Sequence, residues 1–303
     1  MSIVTFLFVL VVLAIPINSL GVKNLAGSIL QILGVRSTRA GELEIILAGD
    51  VMLGRTVMTK SLDTGNVGYP FENIAAYFAR GDLAFVNLEN PITEGCRRHY
   101  DGLIFCATPD MLMGLTRSGI DIVNLANNHT LNYGKSGLDE TRSHLKNAGI
   151  DHTGFGSVVT RKINGTSVGF LGFDFLSQAP TEDDYSLIAD TNAKVDILIV
   201  GVHWGEEYTP RPRDDQREWA RKMVSSGADA IAGHHPHWVQ EMEYINDVPV
   251  FYSLGNLVFD QMWSDRTRRG LVVKLVFQDG KLVNEERRET FMENWAQPMF
   301  VKN

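Results

Sequence analysis

Ala228-Asp229-Ala230-Ile231-Ala232-Gly233-His234-His235-Pro236-His237 is a short apolar run that breaks into an H-x-H pair, His235 and His237. An apolar run of this length, closed by glycine, reads as a buried strand. Two imidazoles leaving one strand end converge on a point, and imidazole is the commonest metal ligand among side chains. Taken alone the pair is weak evidence, because loop histidines more often face solvent or bond locally. Its meaning depends on what the other strands bring to the same point.

Four more apolar runs end in comparable groups. ELEIILA (42–48) closes at Gly49-Asp50, and LAFVNL (83–88) ends at Glu89-Asn90-Pro91. IDIVNLA (120–126) ends in Asn127-Asn128-His129, and VDILIVGV (195–202) ends at His203-Trp204-Gly205. In open α/β sheets, sites lie beyond the carboxyl ends of the strands. Each residue has a bland explanation: Asp50 and Glu89 as loop carboxylates, Asn128 as a turn residue, His203 as a satisfied core histidine. Five such endings in one chain are hard to credit to chance.

Two carboxylates, one amide oxygen and three imidazoles are too many ligands for one tetrahedral ion with an open position. They suit a pair of ions sharing a bridging carboxylate. Nitrogen and oxygen ligands without thiolate favour Mn, Fe or Zn over Ca. Two such ions activate a bridging water and clamp both oxygens of an in-line displacement at phosphorus, so the chemistry implied is hydrolysis of a phosphate ester. His129, beside a ligand, is placed to protonate a leaving alkoxide; orienting Asn128 is its alternative role. Arg55 suits a bidentate pair with a substrate phosphate or carboxylate, and an ordinary surface salt bridge equally well. No G-x-S-x-G elbow or P-loop sequence occurs, so serine-hydrolase and nucleotide-hydrolase readings have no anchor.

Between these strands the pattern turns helical. Residues 71–80 place Ile74, Tyr77 and Phe78 on one face, and Pro109 opens a helix that Gly119 stops. Ser136 with Asp139 resembles a capping box before the stripe Leu138, Thr141, Leu145 and Ala148, with Gly149 as the stop. Asp215 with Glu218 is expected to cap a helix carrying Trp219, Met223 and Val224. Residues 176–191 are polar and acidic and read as a surface loop. Asn164-Gly165, Asn246-Asp247 and Asp279-Gly280 mark hairpins, and beyond about Thr290 the sequence looks irregular. Strands alternating with helices, followed by hairpin-joined strands, predict an α/β fold with mixed sheets.

The composition is that of a globular protein: 303 residues, 44% hydrophobic and 21% charged, with a formal net charge of -8. Residues 1–40 hold Lys23, Arg36 and Arg39 and no acid, leaving 25 of the 28 basic residues against all 36 acidic ones. Such a surface repels a nucleic-acid backbone, and no basic patch with interleaved aromatics appears, so nucleic acid is set aside. Residues 2–22 have no charged side chain and are about long enough to cross a ~30 Å hydrocarbon layer, which predicts a membrane anchor or export signal. Residues 23–40 read as a tether, and residues 41–303 as the folded domain. The basic residues after the apolar run would place that domain in the cytoplasm. Cys96 and Cys106 argue the other way, since an even pair closing a short loop suits a disulfide in an oxidising compartment; two buried thiols are the alternative. The expectation taken forward is a domain anchored outside the cytoplasmic membrane.

In order along the chain, AGDVMLGR (48–55), NLENPIT (87–93), NLANNHTLNYG (124–134), VHWGEEY (202–208), GHHPHWVQ (233–240) and YSLGNLVFD (252–260) resemble the poly-γ-glutamate capsule biosynthesis family of CapA/PgsA type. The resemblance implies a calcineurin-like metallophosphoesterase fold, a sandwich of two mixed β-sheets flanked by helices. It implies a membrane-anchored role at the cell surface in making or exporting a γ-linked glutamate polymer, alongside membrane subunits of a polymer synthase. Carried over position by position, Asp50, Glu89, Asn128, His203, His235 and His237 fall on metal-ligand positions of the wider superfamily, and His129 on its acid. Two departures stand out. The superfamily's first motif has the form D-x-H, whereas this chain reads Asp50-Val51-Met52, and Glu89 stands where the bridging residue is usually Asp. Two readings therefore stay open: a metal-dependent hydrolase acting on a phosphoester or surface polymer, and a non-catalytic polymer-binding or synthase-scaffold subunit with a degenerate metal site.

Overall fold

The computed structural model describes residues 42–302. The expected anchor and tether lie outside the described residues, among which no helix is long and apolar enough to cross a membrane.

The apolar runs become strands of two mixed sheets. In the first, β1 (Glu42–Val51), β2 (Leu83–Leu88), β3 (Ile122–Asn124) and β4 (Asp151–Thr153) run parallel. In the second, β5 (Val159–Ile163) pairs antiparallel with β6 (Thr166–Asp174), which continues in parallel into β7 (Ile197–His203) and β8 (Ala230–His234). The hairpin of β9 (Met242–Ile245) and β10 (Val248–Phe251) closes that sheet, β10 running parallel to β8. The chain then returns to the first sheet. There β11 (Asn256–Val258) pairs with the end of β1, and β12 (Arg269–Gln278), β13 (Lys281–Asn294) and β14 (Gln297–Phe300) extend it antiparallel. The three expected hairpin turns are all present, and Asn164, Asn246, Asp247 and Asp279 take the left-handed conformation such two-residue turns demand.

Successive residues of a strand face opposite sides of its sheet, so a strand covered on both faces must be apolar throughout. The β1 residues Leu43, Ile45 and Leu47 face Val168, Phe170, Ile197 and Ile199 of the other sheet. Their neighbours Ile46 and Ala48 face helices. Those helices include Leu112–Ser118 and Gly134–Ala148, which bury Leu115, Leu138 and Leu145. On the far side, Leu198, Val200 and Val202 pack against helices Glu182–Asn192 and Asp214–Ser225. The result is helix, sheet, sheet, helix: an α/β sandwich of two mixed sheets, as expected.

Several local expectations need correction. Residues 176–191 are not a loop throughout: Thr181 and Asp184 form a capping box for helix Glu182–Asn192, which buries Tyr185, Ile188 and Thr191. Three acids in its first turn suit the positive end of the helix dipole, so the acidity that suggested a loop favours a helix start. Ser136 and Asp139 do not cap, because helix Gly134–Ala148 starts two residues before Ser136. Helix Asp214–Ser225 has Arg213 as its N-cap, and Gln216 rather than Glu218 reaches back to it, its Oε1 accepting the Arg213 N–H at 2.9 Å. Of residues 71–80 only Ala75–Phe78 is α-helix, preceded by a 3-10 turn at Tyr69–Phe71. The tail beyond Thr290 is ordered strand, turning at Trp295-Ala296 with Asn294 opposite Gln297.

Cys96 and Cys106 are joined in a disulfide. Phe85 lies fully buried between the sheets, stacked on Phe170 with ring centroids 5.6 Å apart. Phe85→Ala is expected to destabilise the domain by about 3–5 kcal/mol in urea unfolding. A change below about 1 kcal/mol would mean that the inter-sheet core is not packed as described.

Candidate metal centre

The parallel strands of both sheets deliver their carboxyl ends to one place. Asp50 lies near the end of β1, Glu89 one residue past β2, and His203 is the last residue of β7. All three are fully buried and can offer ligand atoms within 4.8 Å of one another. A second trio with the same property consists of His235 and His237, past β8, with Glu207 from the loop after β7. Glu207 escaped the sequence reading because it sits four residues past its strand end in a polar loop; the signal available was only its place in VHWGEEY.

Asp50 and Glu89 tie the trios together. Asp50 Oδ2 is 3.3 Å from His237 Nδ1, and Glu89 Oε1 is 3.6 Å from His237 Nε2. His234, fully buried, brings Nδ1 to 3.2 Å from Asp50 Oδ1. It is the histidine of Gly233–His237 that the H-x-H spacing passed over. Asn87 donates through Nδ2 to Asp50 Oδ1 at 2.9 Å and to Glu89 Oε2 at 3.2 Å. Its Oδ1 accepts from Asn124 at 3.3 Å and Asn127 at 3.1 Å. These asparagines also went unread, although an amide near the end of an apolar strand, as in LAFVNL and IVN, is the mark of a buried polar network. Gly172 leaves it room, since a Cβ there would stand 2.0 Å from Asn124 Oδ1.

The histidine orientations follow from their partners. Asn256 donates to Gln261 Oε1 at 3.0 Å and to the Thr267 carbonyl at 2.8 Å, which turns its own Oδ1 towards His237 Nδ1 at 2.9 Å. His237 Nδ1 thus faces two acceptors and carries a proton, leaving Nε2 as the nitrogen that could bind a metal. Such outer partners set the tautomer and direction of ligating histidines. His203 Nε2 pairs with Asn128 Oδ1 at 3.0 Å, so Asn128, itself exposed, meets the centre through His203. His235 and His237 hold left-handed backbone angles, with φ of 96° and 55°. Backbone strain of this kind is retained where surrounding structure imposes it, commonly at functional sites.

His129 lies at the rim. Its ring stacks on Phe105 with centroids 3.9 Å apart, Nδ1 meets Asn132 Oδ1 at 3.1 Å, and Nε2 stands 4.0 Å from Glu89 Oε1. Arg55 is not a surface salt bridge. It is buried, with a two-pronged pair to Asp260, a bond to the Gly102 carbonyl at 2.9 Å and the Phe105 ring 4.5 Å away. Its guanidinium braces the wall behind His129, with Asp260 in the place a substrate anion was expected to take. Beside Asn128 a cavity of about 550 Å³ opens, lined by Leu131, Phe155, Phe173 and Asp174 among others.

Burial alone would raise the Asp50 pKa, but the facing His234 and His237 imidazoles outweigh it and hold it well below the usual carboxylate range. Burial pushes Glu89 well above that range. Burial likewise lowers His129 to about 4 and His235 to about 3. For His237, burial is outweighed by Glu89 and Asp50, which lift it to about 9.

The donor set fits divalent ions. Glu89 Oε1 and His235 Nδ1 are buried without a hydrogen-bond partner, which costs about 1–3 kcal/mol for each such atom; a cation beside them would satisfy both. Nitrogen and oxygen donors with no thiolate suit Mn, Fe or Zn, since the only cysteines are bridged to each other. Metal binding requires neutral imidazole and ionised carboxylate. At pH 7 His237 is protonated and must release a proton, whereas His129 and His235 are already neutral. Calorimetric titration with MnCl2 in buffers of different ionisation enthalpy should therefore show release of about one proton or more per chain at pH 7, His237's share vanishing above about pH 9. Buffer-independent heats at pH 7 would contradict these ionisation states.

A family model described as "Bacterial capsule synthesis protein PGA_cap" matches residues 44–261. The chain is 31% identical to the capsule biosynthesis protein CapA of Bacillus anthracis, over 78% of this chain and 64% of that protein. It is 32% identical to the PGA biosynthesis protein CapA of Bacillus subtilis (strain 168), over 77% of this chain and 67% of that one. It thus spans about two thirds of either relative's length. A crystal structure of a hypothetical protein from Thermus thermophilus shares the fold with a TM-score of 0.56 at 16% identity, covering 82% of this chain and 98% of that one.

Proposed function

The chain belongs to the bacterial capsule synthesis protein family, and from that premise we propose that it serves the synthesis or export of poly-γ-glutamate, or a related surface polymer, by metal-dependent hydrolysis of a phosphoester. The observation that carries this reading is the pair of adjoining trios, all but Glu207 buried, with Glu89 Oε1 and His235 Nδ1 left without hydrogen-bond partners. Asp50, Glu89, His203, His235 and His237 are the residues proposed to hold two ions, with Asn128 completing the set from the rim. Bound there, two ions would supply a water of lowered pKa and charge stabilisation at phosphorus.

The protein's own residues supply the rest. Asn87 holds the Asp50 and Glu89 carboxylates in place, and Asn256 keeps the His237 proton on Nδ1. His129 is held by Phe105 and by Asn132, whose Oδ1 keeps the proton of the neutral ring on Nδ1; its Nε2 would take up a proton when substrate and metal are in place, and then pass it to a leaving oxygen. Arg55 and Asp260 keep Phe105, and so the His129 ring, from moving.

An anionic polymer would find a receptive wall. Arg266 lies over the Trp238 ring, 4.6 Å from its centroid, and Tyr208 connects Trp238 to His237 with centroid separations of 6.2 Å and 6.0 Å. Arg266 makes no ion pair among the described residues, whereas Arg98, Arg213, Arg268 and Arg269 each have a carboxylate partner. The disulfide supports an extracytoplasmic domain, and residues 2–22 are its proposed membrane attachment, bringing it beside the membrane subunits of a polymer synthase.

The Mn-loaded protein is expected to hydrolyse p-nitrophenyl phosphate esters and lose that activity to chelator. His129→Ala should lower kcat by about 10²- to 10⁴-fold while metal content stays unchanged. A fully loaded protein inactive on phosphoesters and on γ-glutamyl polymer would contradict hydrolysis and leave the polymer-binding scaffold reading in its place.

A further inference from the structure

We propose that Glu207 is a ligand of the outer of the two ions, held with His235 and His237, and that this ion exchanges with solvent while the inner one stays. The inference rests on the two-ion reading above.

The loop carrying Glu207 is aimed by its backbone. Gly205 and Tyr208 both take left-handed angles, with φ of 88° and 60°. The positive φ of Gly205 favours glycine at that turn, and a Cβ there would also press on the Gln216 side-chain amide at 2.8 Å. The Tyr208 N–H then donates to the Pro236 carbonyl at 2.9 Å, lacing the loop after β7 to the loop after β8. The lacing brings a Glu207 carboxylate oxygen to 4.0 Å from His237 Nε2, the nitrogen that Asn256 leaves free for a metal.

Electroneutrality calls for this carboxylate. Two divalent cations bring four positive charges to a place where Asp50 and Glu89 supply only two negative ones, and buried charge must be matched. The turn after β1 adds nothing: the Met52 sulfur accepts the Gly54 N–H at 3.1 Å, inside the core. Glu207 is the carboxylate that shares a ligand cluster with His235 and His237.

The two positions differ in access. Asp50, Glu89 and His203 are wholly buried, whereas the Glu207 side chain is 41% exposed. An ion held in part by a half-exposed carboxylate is reached by water and chelator first. The outer position is therefore the one that the supply of Mn, Fe or Zn would fill or empty, making polymer processing responsive to metal.

Equilibrium dialysis of the 303-residue chain against MnCl2, with elemental analysis, tests this without recourse to activity. The unaltered protein should bind two ions in two steps. Glu207→Gln should keep the tighter and weaken the other by at least the ~10- to 100-fold that losing even an outer partner of a metal ligand costs. Glu206→Gln, on the exposed neighbour, should bind as the unaltered protein does. Two ions bound with unchanged affinities by Glu207→Gln would overturn the role of Glu207 and leave the two-ion centre standing. Fewer than two ions in the unaltered protein, under Mn, Fe and Zn alike, would overturn the two-ion reading and this inference with it.

Discussion

The Asp50 carboxylate, buried between two sheets, is the constraint around which this structure closes. Its Oδ1 receives Asn87 from the neighbouring strand and faces His234 from the other sheet, and its Oδ2 meets His237 and the His235 backbone N–H. A buried carboxylate left unpaired would cost several kcal/mol. Its partners come from β2 and from the β8 end, so the register of each sheet must agree with the other at this point. The apolar core between Phe85, Phe170 and Ile199 supplies the bulk of the stability. The Asp50 contacts specify how the two halves meet.

Around that carboxylate the polar groups form graded shells. The innermost atoms, on Asp50, Glu89, His203 and His237, have their directions set by amides: Asn87, Asn124, Asn127, Asn128 and Asn256. Amides suit this task because they do not titrate, so the frame keeps its shape while the histidines and carboxylates exchange protons for metal. Farther out, Arg55 and Asp260 do for Phe105 and His129 what Asn256 does for His237. The centre is thus held in place before any ligand arrives, as preorganised sites require.

Much of this was legible in the sequence. The buried strands were readable because both faces are covered, and the three hairpins because Asn-Gly, Asn-Asp and Asp-Gly tolerate left-handed angles. The metal-type residues were readable because they follow apolar runs directly. What escaped lay elsewhere. Glu207 reaches the centre only through the turns at Gly205 and Tyr208, and tertiary lacing to Pro236 leaves no periodic mark. Arg55 drew attention as a charged residue near Asp50, but its partner Asp260 is 205 residues away. The helix at Glu182–Asn192 was hidden by its acidic first turn, and β14 by its shortness and the Trp295-Ala296 turn.

The central claim is that Asp50, Glu89, His203, Glu207, His235 and His237 would hold two ions between the carboxyl ends of two sheets. Anomalous diffraction from crystals soaked in MnCl2 tests it most directly. The account predicts two peaks roughly 3.5 to 4 Å apart, one bounded by Asp50, Glu89 and His203 and the other by Glu207, His235 and His237. Peaks confined to other parts of the surface, or no peak at this place in a fully soaked crystal, would contradict it.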